Sequence, residues 1–437
     1  MPKTTQATRD LASPEVELRS TAEAARHFAT STPPEPATVE RATEARPPRI
    51  ASIDIFRGLT MMLMIFVNEL AEVHGLPWWN YHAPARVDVM TYVDVVFPLF
   101  LFIVGLSLPL SIDQRLKKNP STASLWLHVI TRSIALIVMG LILANASKID
   151  PALTHMSKGV WALIGLTGAV LFWAVYSKTS KRANLYRGLG LVAMIAMFVI
   201  FRRTGRDGNV HWIDFNYPEI LGLIGYTYFA VCLLYLPTRR WRWAPAVWFV
   251  ALVTFCALFT AHLIEFPRHV RWYIWPFTNG ALACMMMAGV ATSTIFLGRD
   301  QWPSLRQKLL GATAFATLCL IAARLLTPLG ISKIRATPTW CLYSIAAGVL
   351  IFAALYWLCD IKNRTSWAFF VRSAGSNTLT TYLLPDFYFY ILSALGITYF
   401  TTHLNFGWPG VARTVIFTAF MLALSTLLTR WKVRLQL

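Results

Sequence analysis

The chain has 437 residues, of which 56% are hydrophobic and 17 are tryptophan, and its mean hydropathy is positive. So much apolar surface exceeds what a water-soluble fold normally buries, which excludes an ordinary soluble enzyme and predicts a polytopic membrane protein. The net charge of +19 is interpreted as a signal of membrane topology, and nucleic acid is not expected as a partner.

The first 49 residues differ in composition from the rest of the chain. They are rich in Pro, Thr, Ala and Glu and contain neither an apolar core nor the hydrophobic region of a signal peptide. Such a segment cannot bury enough apolar surface to fold. We therefore predict that residues 1–49 are a disordered cytoplasmic tail and that residues 50–437 form a transmembrane domain.

Twelve apolar runs follow the tail, each bounded by charged or turn-forming residues. They begin near Ile53, Thr91, Leu125, Gly159, Tyr186, Pro218, Ala244, Thr278, Lys308, Trp340, Ala374 and Val411. The runs near Tyr186 and Val411 are the weakest, because the first is short and the second contains Arg413. The sequence therefore predicts an all-α fold with about 10–12 transmembrane helices.

The charged residues between these runs predict the orientation of the helices. When the N-terminus is placed in the cytoplasm, the inner segments carry more than twice as many Lys and Arg residues as the outer segments. This bias is the one that the positive-inside rule describes. We therefore expect an even number of crossings, with both termini in the cytoplasm.

The six cysteines all fall within predicted helices, and their spacing is not that of metal ligands. Buried cysteines of this kind usually serve as small packing residues. We therefore interpret them as packing residues and predict no metal site.

The first run, residues 52–69, carries an unusual load of polar side chains. On a helix, Arg57 and Asn68 project about 20° apart, and Asp54 lies about 60° from Arg57, so these groups form one stripe. Ionisable groups within a span face protein or water, because lipid exposure is costly. An ion pair between Asp54 and Arg57 would explain those two residues alone. Asn68 and Glu69 at the far end of the stripe favour a lined cavity.

The loop after this helix contains Trp78 and His82 and leads to Asp94. A tryptophan at this depth commonly belongs to an aromatic belt, and a lone histidine is more often a surface residue than a catalyst. Here Asn68 precedes the loop, and Asp94 begins the next helix, where it could orient the imidazole. A histidine with such partners can take a proton from an attacking nucleophile. The grouping therefore predicts acid–base catalysis at the outer face.

Several stretches resemble a known family. SIDIFRG and FVN (residues 52–58 and 66–68), HAP (82–84) and DVVFPLFLFIVGLSLPLS (94–111) are similar to the transmembrane acyltransferases related to heparan-α-glucosaminide N-acetyltransferase. Later stretches agree, namely ILGLIGYTYF (220–229), ATPTWCLYSIAAGVLIFAALYWLCD (336–360) and GSNTLTTYLLPD (375–386). The resemblance is greatest to bacterial members of this family.

The resemblance implies that acetyl groups pass from cytoplasmic acetyl-CoA, through the domain of residues 50–437, to an amino sugar or related glycan outside the bacterial inner membrane. It implies that His82 is the active-site histidine, accompanied by Asn68 and Asp94. Acetyl-CoA is expected to contact Asp54, Arg57 and Asn377, and the acceptor is expected to contact Glu69, Trp78, Trp340 and Asp386. The expected partners are these two substrates and the lipid bilayer, with a homodimer as one option for assembly.

Polar residues in the later runs have more than one reading. Pro385 directly precedes Asp386, which indicates a kink with a functional acid, since proline frees a carbonyl and the carboxylate needs a partner. Asn377 is equally explained by hydrogen bonding between helices. Arg132 is expected either to pair with a buried acid such as Asp386 or to reach the membrane interface.

The main alternative function is a sugar transporter of the N-acetylglucosamine type. Polar spans, a cavity near the membrane midplane and broken helices also occur in permeases. A transporter needs neither an acid–base histidine at its outer face nor a site for acetyl-CoA. A scaffold without catalysis is a third reading, which leaves the grouping of Asn68, His82 and Asp94 without a role.

Overall fold

The structure is a computed structural model that describes residues 50–177, 181–266, 279–298, 301–399 and 403–435. The predicted cytoplasmic tail, residues 1–49, lies outside the described residues. Within the described ranges, the only strands are the two-residue pair Arg203–Thr204 and Val210–His211, which run antiparallel. The prediction of an all-α fold is therefore confirmed.

Twelve helices of sixteen residues or more follow one another along the described ranges. They are α1 (Ala51–Leu70), α2 (Val93–Lys118), α3 (Thr122–Ala146), α4 (Lys158–Trp173), α5 (Ala183–Ile200), α6 (Glu219–Thr238), α7 (Ala244–Thr260), α8 (Ala281–Phe296), α9 (Leu305–Leu325), α10 (Pro338–Leu355), α11 (Thr378–Ala394) and α12 (Gly407–Arg430). Short helical segments connect them, namely Trp78–Asn80, Pro151–Thr154, Thr327–Leu329, Ser366–Ala368, Arg372–Ser376 and the π-helical turn Tyr356–Ile361 that extends α10. Each of the twelve begins within about one helical turn of a predicted run.

Among the residues that the structure describes, eight helices are long and apolar enough to cross a membrane. These are α1, α2, α3, α5, α6, α9, α12, and α10 together with its π-helical turn, while α4, α7 and α8 are apolar but shorter. The protein is therefore a multi-pass membrane protein, with eight spans supported by length and composition where the sequence predicts about 10–12. The two weakest predictions, α5 and α12, are among the eight. Whether both termini face the cytoplasm stays a prediction.

Helix α1 lies at the centre of the packing. It contacts α2, α10, α11 and α12, together with the short helix Arg372–Ser376. At the amino end of α1, Asp360 accepts hydrogen bonds from the backbone N–H groups of Ala51 (2.8 Å) and Ser52 (3.2 Å). These N–H groups have no partner within their own helix, so a carboxylate from the end of α10 caps α1.

Helices α2 and α8 approach closely enough for their backbones to touch. A side-chain carbon added at Gly105 of α2 would overlap the carbonyl oxygen of Met286, and one added at Gly289 of α8 would overlap the carbonyl oxygen of Phe102. Small residues at such crossings allow close packing between membrane helices. All six cysteines also lie in the interior as buried free thiols, which agrees with their interpretation as packing residues.

The close crossing generates a prediction about stability. Gly289→Ala should lower the free energy of unfolding by about 1–3 kcal/mol, because the new methyl group has no room beside Phe102. Thermal unfolding of the purified variant measures the effect. Gly188→Ala in α5 is the matched control, since nothing lies within 4 Å of the added carbon there. Equal unfolding temperatures for the two variants would show that the crossing is not tightly packed.

Candidate active site

The predicted pair of His82 and Asp94 forms in the structure. Nδ1 of His82 lies 2.7 Å from Oδ1 of Asp94. The other carboxylate oxygen of Asp94 accepts hydrogen bonds from the backbone N–H groups of Thr91 (3.0 Å) and Ala83 (3.3 Å) and from the Thr91 hydroxyl (3.3 Å). The Asp94 side chain is 1% exposed, whereas the His82 side chain is 42% exposed. A carboxylate held by so many donors stays ionised and orients the imidazole, so that Nε2 is the nitrogen available for chemistry.

Lys333, which the sequence analysis did not single out, lies beside this histidine. Its Nζ atom is 3.0 Å from Nε2 and 3.3 Å from Nδ1 of His82. Burial lowers the pKa of the Lys333 ammonium, although the carboxylates of Asp94 and Glu219 oppose the change. The arrangement places a proton donor next to the reactive nitrogen of His82. The only sequence signal was a lysine a few residues before the ATPTW stretch.

The loop that carries Lys333 is tied to the loop that carries His82. Asp88 accepts a hydrogen bond from the backbone N–H of Ile331 (3.1 Å) and forms an ion pair with Arg335. The hydrogen bond from Arg335 holds the pKa of Asp88 below its usual value, so the carboxylate stays charged in this contact. These contacts join two loops that are about 250 residues apart in sequence, and they set the position of Lys333 against the imidazole.

Two predicted acceptor-binding tryptophans occupy different environments. Trp340 is 1% exposed, and its indole N–H donates to the backbone carbonyl of Asp94 (3.0 Å). This contact fixes the first turn of α2, where Asp94 is located. Trp78 is 63% exposed in the turn Trp78–Asn80. Contact of either residue with an acceptor stays a prediction.

A cavity of about 490 Å³ lies at the carboxyl end of α1, and we call it the acidic cavity. Its lining includes Asn68, Glu69, Glu72, His74, Glu219, Tyr382, Asp386, Tyr390, Asn405 and Arg413. Four carboxylates therefore face one arginine. The predicted residues Asn68, Glu69 and Asp386 come together here. Within the described part of the chain, however, the polar contacts of His82 are with Asp94 and Lys333 and not with Asn68.

One of these carboxylates is neutralised by the arginine. Oε1 of Glu69 lies 2.9 Å from Nη2 of Arg413, and both side chains are less than one-tenth exposed. The pair explains how α12 carries a cation inside an apolar run, because a buried charge needs a partner of opposite sign. The remaining carboxyl groups are those of Glu72, Glu219 and Asp386, so carboxyl groups outnumber arginine in this lining.

A second cavity, of about 370 Å³, begins near the amino end of α1, and we call it the basic cavity. It is lined by Arg57, Arg115 and Arg132 and, among the described lining residues, by no acidic side chain. The Arg132 guanidinium lies 4.7 Å from the centre of the Tyr228 ring, so a cation–π contact takes the place of the expected partner Asp386. Arg132 Nε is buried without a hydrogen-bond partner among the described residues.

The predicted residues at this end hold the cavity wall together. Arg57 donates to Asp54 (3.3 Å), to the carbonyl of Gly375 (3.1 Å) and to the Ser107 hydroxyl (2.7 Å). Asn377 lines the same cavity and donates to the carbonyl of Val433 (2.9 Å). Arg57 and Asn377 thus line one space, as a shared binding role requires. Asp54 is not part of the described lining and is connected to the space by its hydrogen bond with Arg57.

The two cavities share one residue, Tyr382 of α11, which lines both of them. Arg57 and Asn68 mark the two ends of α1 and are separated by roughly 16 Å along the helix axis. Tyr382 therefore stands between a space lined by arginines at one end of α1 and a space rich in carboxyl groups at the other.

Comparison with known proteins relates the chain to one group of enzymes. A family model described as a domain of unknown function, DUF5009, matches residues 49–262. The chain is 40% identical over 101 residues to human heparan-alpha-glucosaminide N-acetyltransferase and 37% identical over 97 residues to the mouse protein. These matches cover 23% and 22% of this chain but only 14% of each relative. The chain is therefore related to heparan-alpha-glucosaminide N-acetyltransferase over a partial region.

The buried ion pair generates a second prediction. Glu69→Leu should lower the free energy of unfolding by about 3–5 kcal/mol, because it leaves the Arg413 guanidinium buried without its carboxylate. The double variant Glu69→Leu with Arg413→Met should recover most of the loss, since neither charge then remains. Thermal unfolding of both variants in lipid nanodiscs gives the comparison. A double variant no more stable than Glu69→Leu would show that the pair does not account for the loss.

Proposed function

We propose that this protein is a membrane-embedded acetyltransferase, in which acetyl-CoA binds in the basic cavity and an amino sugar or related glycan binds in the acidic cavity. The observation that carries the proposal is the pair of cavities that meet at Tyr382, one lined by three arginines and the other rich in carboxyl groups. The partial relation to proteins named as N-acetyltransferases supports the same reaction class.

The charge of the basic cavity suits the acyl donor. Coenzyme A is a polyanion whose phosphate groups pair well with guanidinium groups. Arg57, Arg115 and Arg132 line the space. Arg57 is paired with Asp54. No acidic side chain belongs to the described lining, so a polyphosphate would meet the guanidinium groups of Arg115 and Arg132 without a competing carboxylate of the lining. The basic cavity faces the cytoplasm in the orientation predicted from the charge bias, which is where acetyl-CoA is made.

The charge of the acidic cavity suits an amine. An amino sugar is cationic near neutral pH, and the carboxylates Glu72, Glu219 and Asp386 outnumber the single arginine of the lining. The amine must lose a proton before it can attack a carbonyl carbon. Glu219 lines the cavity, and its carboxylate opposes the lowering of the Lys333 pKa.

We propose that His82, which is paired with Asp94, takes up that proton. In the direct route, the amine nitrogen bonds to the thioester carbonyl carbon, the carbon–sulfur bond breaks, and the amine proton passes to Nε2 of His82 and then to the leaving thiolate. In the covalent route, Nε2 attacks the thioester carbonyl carbon and the carbon–sulfur bond breaks to release the thiolate. The amine then attacks the acetyl carbon, the bond from that carbon to Nε2 breaks, and the amine proton passes through Nε2 to the thiolate. Both routes form an oxyanion near Nε2, where the ammonium of Lys333 at 3.0 Å would stabilise it.

A transporter is the second candidate, because two cavities that meet at one aromatic residue also describe alternating access. The discriminating experiment uses the purified protein in lipid nanodiscs, with isotopically labelled acetyl-CoA and glucosamine, followed by mass spectrometry of the sugar. Labelled N-acetylglucosamine supports the transferase. Absence of product, combined with uptake of the sugar into proteoliposomes without acetyl-CoA, would favour the transporter.

His82 should be required for transfer but not for folding. His82→Ala should reduce the rate of acetyl transfer by at least about 10²-fold, since it removes the proton acceptor, while acetyl-CoA binding is retained. Rates are measured with labelled acetyl-CoA, and donor binding by equilibrium dialysis. His211→Ala is the matched control, because His211 also forms a loop pair with an aspartate, at 2.8 Å from Asp207. Near-normal turnover by His82→Ala would show that the catalytic group is a residue other than His82.

Lys333 should contribute through its charge. Lys333→Met should lower kcat by about 10²-fold to 10³-fold, the usual cost of losing one oxyanion donor, with little change in the KM for acetyl-CoA. An ammonium donates only when it is protonated, so wild-type activity should fall as pH rises through the pKa of Lys333, which burial places below the ordinary lysine value. This alkaline decline should disappear in Lys333→Met.

Two further variants test the role of Lys333. Lys333→Arg keeps a positive charge at all accessible pH values, so it should retain more activity than Lys333→Met and should lack the alkaline decline. Lys362→Met is the control, since Lys362 is an exposed lysine whose Nζ lies 5.7 Å from the centre of the Trp357 ring and lines neither cavity. If Lys333→Met keeps the wild-type kcat and the same pH profile, the lysine has no catalytic role.

A further inference from the structure

An apolar groove lies on the outer surface of α11 and α12, and we call it the lateral groove. It has a volume of about 660 Å³ and is lined by Glu69, Tyr388, Phe389, Leu404, Pro409, Ala412, Arg413, Ile416, Phe417 and Phe420. Ile416 is 69% exposed and Phe420 is 52% exposed. Both belong to α12, a helix long and apolar enough to span the membrane, so the groove opens toward lipid.

The lateral groove is continuous with the acidic cavity. Four residues, Glu69, Phe389, Arg413 and Phe417, line both spaces. The four residues come from three different helices. The shared wall is therefore formed by side chains from separate helices and not by one backbone segment. The rings of Phe389 and Phe417 lie 5.4 Å apart between centroids. Aromatic side chains change rotamer far faster than helices move, so this wall can open without unfolding.

The change in polarity across this wall indicates the chemistry of the occupant. On the lipid side the groove is apolar, and on the other side the cavity holds an excess of carboxylates. A soluble sugar would reach the cavity from water and does not require an opening toward lipid. A molecule with a hydrocarbon chain and an amino-sugar head would match both spaces at once.

We propose that the acceptor is lipid-linked: an amino sugar attached to a long hydrocarbon chain, which enters from the membrane between α11 and α12. Its chain lies in the lateral groove, and its head reaches the acidic cavity past Phe389 and Phe417. This inference rests on the proposed transferase function and adds the class of acceptor. Bulk phospholipid in the groove, without any role in acceptor binding, is the competing occupant.

The test compares two acceptors that share one head group. Dodecyl β-glucosaminide and methyl β-glucosaminide are offered with acetyl-CoA to the full chain in lipid nanodiscs. Each buried methylene improves binding about fourfold, so the dodecyl acceptor should show a KM at least about tenfold below that of the methyl acceptor. Ala412→Trp fills the groove with a bulky ring and should raise the KM of the dodecyl acceptor about tenfold, with the methyl acceptor unaffected.

Ala419→Trp is the matched control. Ala419 is also exposed on α12 but lines neither the groove nor the acidic cavity, so this variant should behave as wild type with both acceptors. Comparing variants removes the effect of dodecyl partitioning into the bilayer, because all of them share that partitioning. Ala412→Leu introduces a smaller side chain and should give an intermediate KM for the dodecyl acceptor. This variant keeps the test valid if Ala412→Trp misfolds.

Two outcomes overturn the inference. One is an equal KM for the two acceptors in the wild type, and the other is an Ala412→Trp variant that treats the dodecyl acceptor as the wild type does. Binding without acetyl-CoA separates this inference from the proposed function. A saturable rise in unfolding temperature that requires the dodecyl chain, and is lost in Ala412→Trp, supports the groove even where no acetyl transfer occurs. No chain-dependent rise and no transfer to either acceptor would overturn both.

Discussion

Helix α1 depends on other parts of the protein for partners to the N–H groups of its first turn and to its charged side chains. Within lipid no water is available to form hydrogen bonds with an unpaired N–H group or charge, so its partner has to come from a neighbouring helix. Asp360 from the end of α10 caps the first turn, Ser107 of α2 meets Arg57, and Arg413 of α12 neutralises Glu69. These three contacts draw α2, α10 and α12 to α1 from different directions, and the rest of the packing is built around that assembly.

Satisfying the polar stripe also produces the functional spaces. Partners that reach α1 at only its two ends leave room between the helices, and the charges there are not balanced locally. Three arginines line the cavity at one end, and carboxyl groups outnumber arginine in the cavity at the other. A site for a polyanionic donor and a site for a cationic acceptor would thus arise from one helix. Tyr382 between them would keep a charged path from becoming an ion leak.

The site at His82 depends on preorganisation by the same kind of contact. Asp94 is buried at the first turn of α2 with three hydrogen-bond donors besides the histidine, and Trp340 holds the backbone at that turn. A buried carboxylate that is fully bonded has little freedom to move, so the imidazole it holds is fixed as well. The imidazole itself remains 42% exposed, which leaves its second nitrogen accessible to a substrate.

Much of this could be read from the sequence, because the relevant physics is local. Apolar runs long enough to cross lipid identified all twelve long helices of the described ranges, and helical geometry placed Asp54, Arg57 and Asn68 on one stripe. His82 and Asp94 are only twelve residues apart, so their pairing could be expected. Even here, the apolar runs predicted more spans than the eight that helix length and composition support among the described residues, since α4, α7 and α8 are shorter than the runs suggested.

Only the tertiary structure decided which distant residues complete the site. Lys333 lies 251 residues from His82, and Arg413 and Asp360 reach α1 from the far end of the chain. No periodicity reports such contacts, since they depend on how helices pack rather than on the order of residues within one helix. The structure also shows that Asn68 lines the acidic cavity, while the polar contacts of His82 within the described ranges go to Asp94 and Lys333. The residues of α1 therefore determined that charges must be met inside the membrane, and helix packing determined which partners meet them.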